Sequence, residues 1–413
     1  MGKTPVIFHC DCNNFYASVE LLEHPELKGL PVAVCGDPEG RHGIVLAKNE
    51  AAKALGIQTA ETIWQAKRKC PDLRLLPPHR DRYRHFSKII NEIYQKYTDR
   101  VEPFGIDESW MDVTGTWPIF EKSPQALADR LRREVYSATG LTISVGVSFT
   151  KVLAKLGSDY KKPNATTVFS PDNWQELVWP LPVGNLLYVG KAAQKQLSLL
   201  GITTIGQLAQ ADPSLLEHSL GKLGADLSRS ARGLDTDPVR LTGDRDPVKS
   251  VGNGLTFRKN LTTAQEIRSG LWALCDQVAT RLRKHGLWAG AVQLTIKDTN
   301  LKAIQRQKQL PFSTQLSKEL VKYSWELLEE NWRVGVPIRM LTVTALNLTD
   351  QPFACQMSMF GDAPQPDEKR ASLEKSLDAI RAKYGRSSIG MGSRLGNDLG
   401  LKGLEMDLDP EED

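Results

Sequence analysis

Two hydrophobic periods alternate along this chain and lay out its elements. Val6-Ile7-Phe8 reads as a short buried strand that carries Asp11 at its end and runs into a helix by residue 20. Pro31-Val32-Ala33-Val34-Cys35 and Gly43-Ile44-Val45-Leu46-Ala47 read as two more strands, joined by a Gly- and Pro-rich loop. Helices are expected near 48–56 and 60–70. After Pro77-Pro78, a stripe of Tyr83, Phe86, Ile90, Ile93 and Tyr97 predicts a helix over about 80–99. Val101-Glu102-Pro103-Phe104 and Trp110-Met111-Asp112-Val113 read as strands that meet in the tight turn Gly105-Ile106-Asp107-Glu108. A helix near 123–139, a strand over 142–147 and a helix over 150–159 follow.

Residues 166–240 change to short helices. Val189-Gly190-Lys191, a helix to Leu200, and Gly201-Ile202-Thr203-Thr204-Ile205-Gly206 before a second helix form a helix-hairpin-helix pattern. Such a hairpin offers backbone N–H groups to a phosphate without reading sequence, which makes Gly190 and Lys191 candidate DNA contacts. From Lys249 the pattern is strand 249–258, helix 263–285, strands 289–297 and 302–310, helix 314–333 and strand 338–348. This is a βαββαβ unit, a four-stranded sheet backed by two helices. Arg258, Arg306 and Lys308 lie on its strands, where alternation can place them on the open face against phosphates. Beyond Asp350 come a linker, the pentapeptide Gln356-Met357-Ser358-Met359-Phe360, a charged amphipathic helix over 367–384 with no assigned role, and an acidic end expected to be disordered.

Composition adds limits. At 413 residues, 40% hydrophobic, the chain can build several cores. The net charge of +4 does not by itself suggest nucleic acid, but Lys and Arg are in excess over 245–345 while the last fifty or so residues lean acidic. The six cysteines lack zinc-finger spacing and fit small buried thiols in a reducing cytosol. Cys10 and Cys12, flanking Asp11, are expected on opposite faces of the first strand. No signal peptide is visible and no apolar run reaches transmembrane length, so a cytoplasmic protein without membrane contact is expected.

The chemistry centres on Asp11, Asp107 and Glu108. Acids at the ends of buried strands are poorly solvated and repel one another, and a site that tolerates three of them normally holds divalent cations. Two such cations about 3.5–4 Å apart clamp the attacking and leaving oxygens of a phosphoryl transfer.

The stretch His9-Cys10-Asp11-Cys12-Asn13-Asn14-Phe15-Tyr16-Ala17-Ser18-Val19-Glu20 and the turn Ile106-Asp107-Glu108-Ser109 resemble the two metal-binding motifs of Y-family, translesion DNA polymerases of the bacterial DNA polymerase IV type. The resemblance continues through Gly146-Val147-Ser148, Lys162-Pro163-Asn164 and Lys249-Ser250-Val251-Gly252, so it covers roughly residues 5 to 350 in order. It implies an α+β, multidomain right-hand polymerase: palm at 1–20 and 74–165, fingers at 21–73, helical thumb at 166–240, βαββαβ little finger at 241–350, and a tail at 351–413. It also implies the closeness of Asp11 to Asp107 and Glu108, which spacing alone does not prove. Asp11, the Cys12 backbone carbonyl, Asp107 and Glu108 would hold two Mg²⁺ ions, with Mn²⁺ able to substitute. Tyr16 would be the steric gate that clashes with a ribose 2′-hydroxyl. Phe15, Lys53 and Lys162 would bind the nucleotide, although Phe15 also reads as a core aromatic.

The chain departs from the family in places. Glu50 stands where a Tyr is usual, and Lys53 where an Arg is usual. An acid beside a triphosphate should repel it unless it turns away or pairs with Lys48 or Lys53. Asn13 replaces an acid found in several relatives and is expected not to matter if three carboxylates suffice. Gln356, Met359 and Phe360 resemble the motif that docks bacterial polymerases on the sliding clamp, with Met359 in place of the usual Leu. The implied activity is template-directed, low-fidelity lesion bypass without proofreading, by a monomer acting on primer-template DNA and dNTP. The competing readings are a catalytically silent DNA-binding relative and a clamp-bound adaptor with the same fold.

Overall fold

The structure, a computed structural model, describes residues 4–37, 43–244, 246–352, 368–385, 388–390 and 398–401. The clamp-like pentapeptide 356–360, with Gln356, Met359 and Phe360, lies outside the described residues. The chain divides into two compact units between Arg245 and Asp246.

The first unit opens with β1 (Ile7–Cys12), α1 (Phe15–Glu23), β2 (Val32–Cys35), β3 (Val45–Lys48), α2 (Glu50–Ala54), α3 (Ile63–Lys69), β4 (Arg74–Leu76) and α4 (Arg80–Gln95). It continues through β5 (Val101–Pro103), β6 (Glu108–Asp112), α5 (Trp117–Phe120), α6 (Pro124–Thr139), β7 (Ile143–Ser148), α7 (Lys151–Tyr160) and β8 (Thr166–Val168). It ends in helices α8 (Trp174–Val178), α9 (Lys191–Leu199), α10 (Ile205–Gln210), α11 (Pro213–Leu220) and α12 (Lys222–Ala231).

The five-stranded sheet runs β5-β6-β1-β7-β8. Every residue of β1 is buried, as expected of a central strand covered on both faces. Phe8, Cys10 and Cys12 pack with Tyr83, Ile90, Ile93, Leu127 and Leu131 in one core. Ile7 packs on the other face with Trp110 and Ala154. Cys10 and Cys12 therefore share a face, contrary to the expectation of opposite faces, because residues two apart on a strand point the same way. Asp11, between them, belongs to the face covered by α7. That helix approaches closely at Gly146, where a Cβ would stand 1.9 Å from the Ala154 carbonyl oxygen. A side chain at 146 would push α7 off the strands that carry the acids.

A small sheet, β3-β2-β4, carries its own core of Ala33, Cys35, Val45, Ala52, Ile57 and Leu73. Strand β4, unseen in the sequence, pairs in parallel with β2, so this layer extends to Leu76 and past the 73/74 boundary drawn from the sequence. Helices α8–α12 close around Trp174, Leu197, Ile205, Leu208 and Leu227. Thr204 and Gln207 cap α10 reciprocally. The expected helix pair with its hairpin is present, and Gly190 and Lys191 stand exposed at the start of α9. The chain beyond 240 still belongs to this unit, since the Thr242 N–H donates to the Asp99 carbonyl at 2.8 Å.

The second unit contains β9 (Val251–Leu261), α13 (Ala264–Lys284), β10 (Trp288–Asp298), β11 (Ala303–Thr314), α14 (Ser317–Asn331), β12 (Ile338–Thr349) and α15 (Glu368–Tyr384). Its sheet is antiparallel in the order β11-β10-β12-β9. The inward residues of α13, α14 and the sheet form one core around Phe257, Leu271, Leu274, Val292 and Leu341. Strand β11 runs four residues further than the pattern suggested, which delays α14 to Ser317.

Candidate active site

The site follows from strand register. In the antiparallel pair β1–β6, Asp11 lies directly opposite Glu108. Directly opposed residues project to the same face. Asp107 precedes β6 in the turn, and its carbonyl accepts the Cys12 N–H at 2.9 Å. This bond locks the turn onto the end of β1. Ligand atoms of His9, Asp11 and Glu108 lie within 4.8 Å of one another.

Helix α7 and the segment just after it bring two cations to these acids. Lys155 Nζ stands 2.6 Å from Glu108 Oε2 and 2.9 Å from Asp11 Oδ2. Lys162 Nζ stands 2.7 Å from the same Asp11 oxygen. Both lysines also reach Asp159, at 3.4 and 2.7 Å. His9 is fully buried beneath, with Nε2 3.4 Å from Glu108 and Nδ1 2.8 Å from Ser158 Oγ. Neither His9, Lys155 nor Asp159 was singled out as a site residue from the sequence. The i, i+4 pair Lys155–Asp159 was visible, but not the strands beneath it.

The electrostatics separate the acids. Burial, then the charges of Asp11 and Glu108, push Asp107 up to about 6. Burial also pushes Glu108 up, but the adjacent His9 ring and the Lys155 ammonium outweigh it and leave the carboxyl at about 2. Burial holds His9 below its ordinary value, which favours the neutral imidazole. Burial opposes the charge on Lys155, yet Asp11, Asp159 and Glu108 raise its pKa. Lys162 is raised in the same way by Asp11 and Asp159.

Asp11, Asp107, Glu108, Lys155 and Lys162 line a cavity of about 490 Å³ together with Cys12, Phe15, Tyr16, Lys48, Glu50 and Lys53. Tyr16 is stacked on Tyr83, with ring centroids 3.9 Å apart and planes within 9°. Tyr83 is fully buried and donates to buried Glu20, so the platform under Tyr16 is fixed. Phe15 is 3% exposed and belongs mainly to the core. Glu50 accepts from Asn14 Nδ2 at 3.0 Å and lies 3.5 Å from Lys53. The repulsion expected from an acid here is thus relieved locally. Asn13, expected not to matter, donates to Ser144 Oγ and accepts from Thr142 and from the Asn164 N–H. It ties the segment after Lys162 to the strands that carry the acids.

The basic strand residues fall differently. Arg306 and Lys308 share parity with Ile304 and Leu310, which pack in the core, so they point toward α14. Lys308 pairs with Glu326 and Glu330, and Arg306 with Asn331. The expected open-face placement does not hold for these two, because the core register of β11 fixes the even positions inward. Arg258 has the opposite parity to buried Phe257, and its N–H donates to the Leu399 carbonyl at 3.3 Å.

An acidic cluster on central strands, two lysines and an aromatic platform thus meet at one cavity. Comparison with known sequences gives the family. The profile of the impB/mucB/samB family matches residues 10–159, and that of its C-terminal domain matches 248–359. The chain is 43% identical to a DNA polymerase IV of Acetivibrio thermocellus, over 96% of this chain and 98% of that one. It is 35% identical to a DNA polymerase IV 1 of Bacillus subtilis, over 95% and 94%. A solved Y-family DNA polymerase chimera has the same fold, with a TM-score of 0.74 at 24% identity, covering 84% of this chain and all of the other. The chain belongs to the impB/mucB/samB family, the Y-family polymerases of the bacterial DNA polymerase IV type.

Proposed function

We propose that the chain is a template-directed DNA polymerase that adds deoxynucleotides to a primer 3′ end, with lesion bypass as its task and no proofreading. The observation that carries this reading is the cross-strand pair Asp11–Glu108, with Asp107 beside it, opening into the cavity lined by Tyr16, Lys53 and Lys162. Asp11, Asp107, Glu108 and the Cys12 carbonyl supply only oxygen donors. That set fits two Mg²⁺ ions, with Mn²⁺ able to substitute. Bound there, the ions would lower the pKa of the primer hydroxyl and neutralise the pyrophosphate leaving group. Lys53 and Lys162 steer and hold the triphosphate, and Tyr16 excludes a ribose 2′-hydroxyl by volume.

Palm, fingers, thumb and little finger are assigned to the five-stranded sheet, the small sheet, the helices of 166–240 and the second unit. Gly190, Lys191 and Arg258 are retained as DNA contacts. Arg306 and Lys308 remain candidates only at the sheet's edge. The enzyme is read as a cytoplasmic monomer. No helix among the described residues is long and apolar enough to cross a membrane. Gln356, Met359 and Phe360 are assigned to the sliding clamp; replacing all three with Ala should remove stimulation by the clamp and spare unassisted extension, and retained stimulation would reject this docking.

Asp107→Ala tests the catalytic reading. It should reduce nucleotide insertion by at least about a hundredfold while primer-template affinity changes little, because metal clamping acts on the transition state and DNA affinity rests on phosphate contacts elsewhere. Extension at the wild-type rate would sink the assignment and favour the silent DNA-binding relative.

A further inference from the structure

Two ammonium groups stand on the oxygens that a divalent cation would use. Lys155 contacts both Asp11 Oδ2 and Glu108 Oε2, and Lys162 contacts Asp11 Oδ2 as well. A cation reaching Asp11 must displace at least one of them. The displaced ammonium would then lie beside a dication and away from bulk water, since the Lys155 and Lys162 side chains are only 16% and 25% exposed. Unless another anion receives it, this repulsion weakens cation binding.

We infer that Asp159 is a positioning residue that receives Lys155 and Lys162 when cations take over Asp11 and Glu108. It is the one further carboxylate that both lysines touch among the described residues, at 3.4 Å for Lys155 and 2.7 Å for Lys162. Its place follows from helical geometry, since positions four apart on α7 share a face. At 48% exposure its side chain can swing with the lysines, whereas Asp11 is held in a strand. The lysines hold Asp11 and Glu108 together against their mutual repulsion. On loading they shift toward Asp159, remain charged, and leave Lys162 near the cavity where a triphosphate would lie. The sequence signal was the spacing Lys155-x-x-x-Asp159-x-x-Lys162, which looks like an ordinary solvated helix face until the strands beneath are known.

This inference rests on the metal-site reading above, and its test separates the two. Mn²⁺ binding to the full-length, nucleotide-free protein is measured by calorimetry and by the spin-resonance signal of free Mn²⁺. The proteins are wild type, Asp107→Ala, Asp159→Asn, Lys155→Met and the Lys155→Met/Asp159→Asn double variant. Wild type should bind and Asp107→Ala should lose the site; equal binding by these two would overturn the metal reading itself. Asp159→Asn should weaken binding by roughly three- to tenfold, and Lys155→Met should tighten it. The decisive comparison is the double variant. If Asp159 acts through the lysines, Asp159→Asn has a smaller effect once Lys155 is gone. An equal effect in both backgrounds would reduce Asp159 to a distant negative charge and overturn the inference, as would no effect in either. Near-ultraviolet circular dichroism of each variant checks that a lost signal is not lost folding.

Discussion

Helix α15 had no role in the sequence, and its docking on the second unit gives a sharp prediction. The helix faces α13 and α14 with its charged side. Glu374 is 3% exposed and accepts from Arg283, from the Ser317 N–H at 3.1 Å and from Ser317 Oγ at 2.6 Å. Arg283, whose side chain is 6% exposed, also donates to Asp378 at 2.6 Å and to the Gln315 carbonyl at 2.9 Å. Arg381 pairs with Asp276 at 3.0 Å. Glu374→Ala leaves a buried guanidinium with one carboxylate where it had two, and strands the Ser317 donors. Breaking a buried pair by removing one partner costs about 3–5 kcal/mol. Asp378 remains, so the lower end applies. About 3 kcal/mol corresponds to roughly a hundredfold rise in the open population of α15.

Hydrogen exchange reads that population directly. In wild type the α15 amides should be protected; in Glu374→Ala they should exchange roughly a hundredfold faster, while β1, β6 and β7 are unchanged. Glu374→Gln should fall between, since it preserves shape and one acceptor but not charge. Equal exchange of α15 in wild type and Glu374→Ala would refute the reasoning. The buried pair would then be too weak to hold the helix.

Two further outcomes follow from the site. Tyr16→Ala should raise the ratio of ribonucleotide to deoxynucleotide insertion by at least about tenfold, because a ring stacked on immobile Tyr83 cannot yield to a 2′-hydroxyl; an unmoved ratio would place the gate elsewhere. Asp107 titrates at about 6 in the folded protein against an ordinary 3.8. Its folded pKa is raised, so the stability it contributes is complete below about pH 4 and is lost as pH rises through about 6. Cations need the deprotonated form, so Mn²⁺ binding at pH 5.5 should release roughly three-quarters of a proton from Asp107 and at pH 8 almost none, measured by calorimetry in buffers of different ionisation heat. Equal release at both pH values would reject the raised value.

Much of this organisation was legible because it is local. The stripe Tyr83, Ile90, Ile93 and Tyr97 gave α4, although the helix ends at Gln95 and not near 99. Tyr97 is buried all the same, since Lys96 and Tyr97 continue the turn through hydrogen bonds back to Ile93 and Tyr94. Strands β4 and β8 were missed because each has only three residues, too few to establish a period of two, and neither has the hairpin turn and partner strand that marked the equally short β5. The inward turn of Arg306 and Lys308 was missed for another reason. Alternation says that they share a face, and only the packing of Ile304 and Leu310 says which one.

The candidate site shows the same division more sharply. Asp11, Asp107 and Glu108 were identified by type and by motif, and the chemistry of three crowded acids needed no coordinates. How the protein tolerates them did. The answer is Lys155, which is 144 residues from Asp11 and 47 from Glu108 along the chain, and His9, which is 149 residues from its partner Ser158. Each of these contacts depends on α7 crossing β1 and β7 at the distance that Gly146 permits. Spacing in a sequence records pairs within one helix turn or one hairpin. It carries no record of which helix lies over which strand. That is why Lys162 could be assigned to the triphosphate by motif alone, while its bond to Asp11, and the competition with a cation that follows from it, could be found only in the fold.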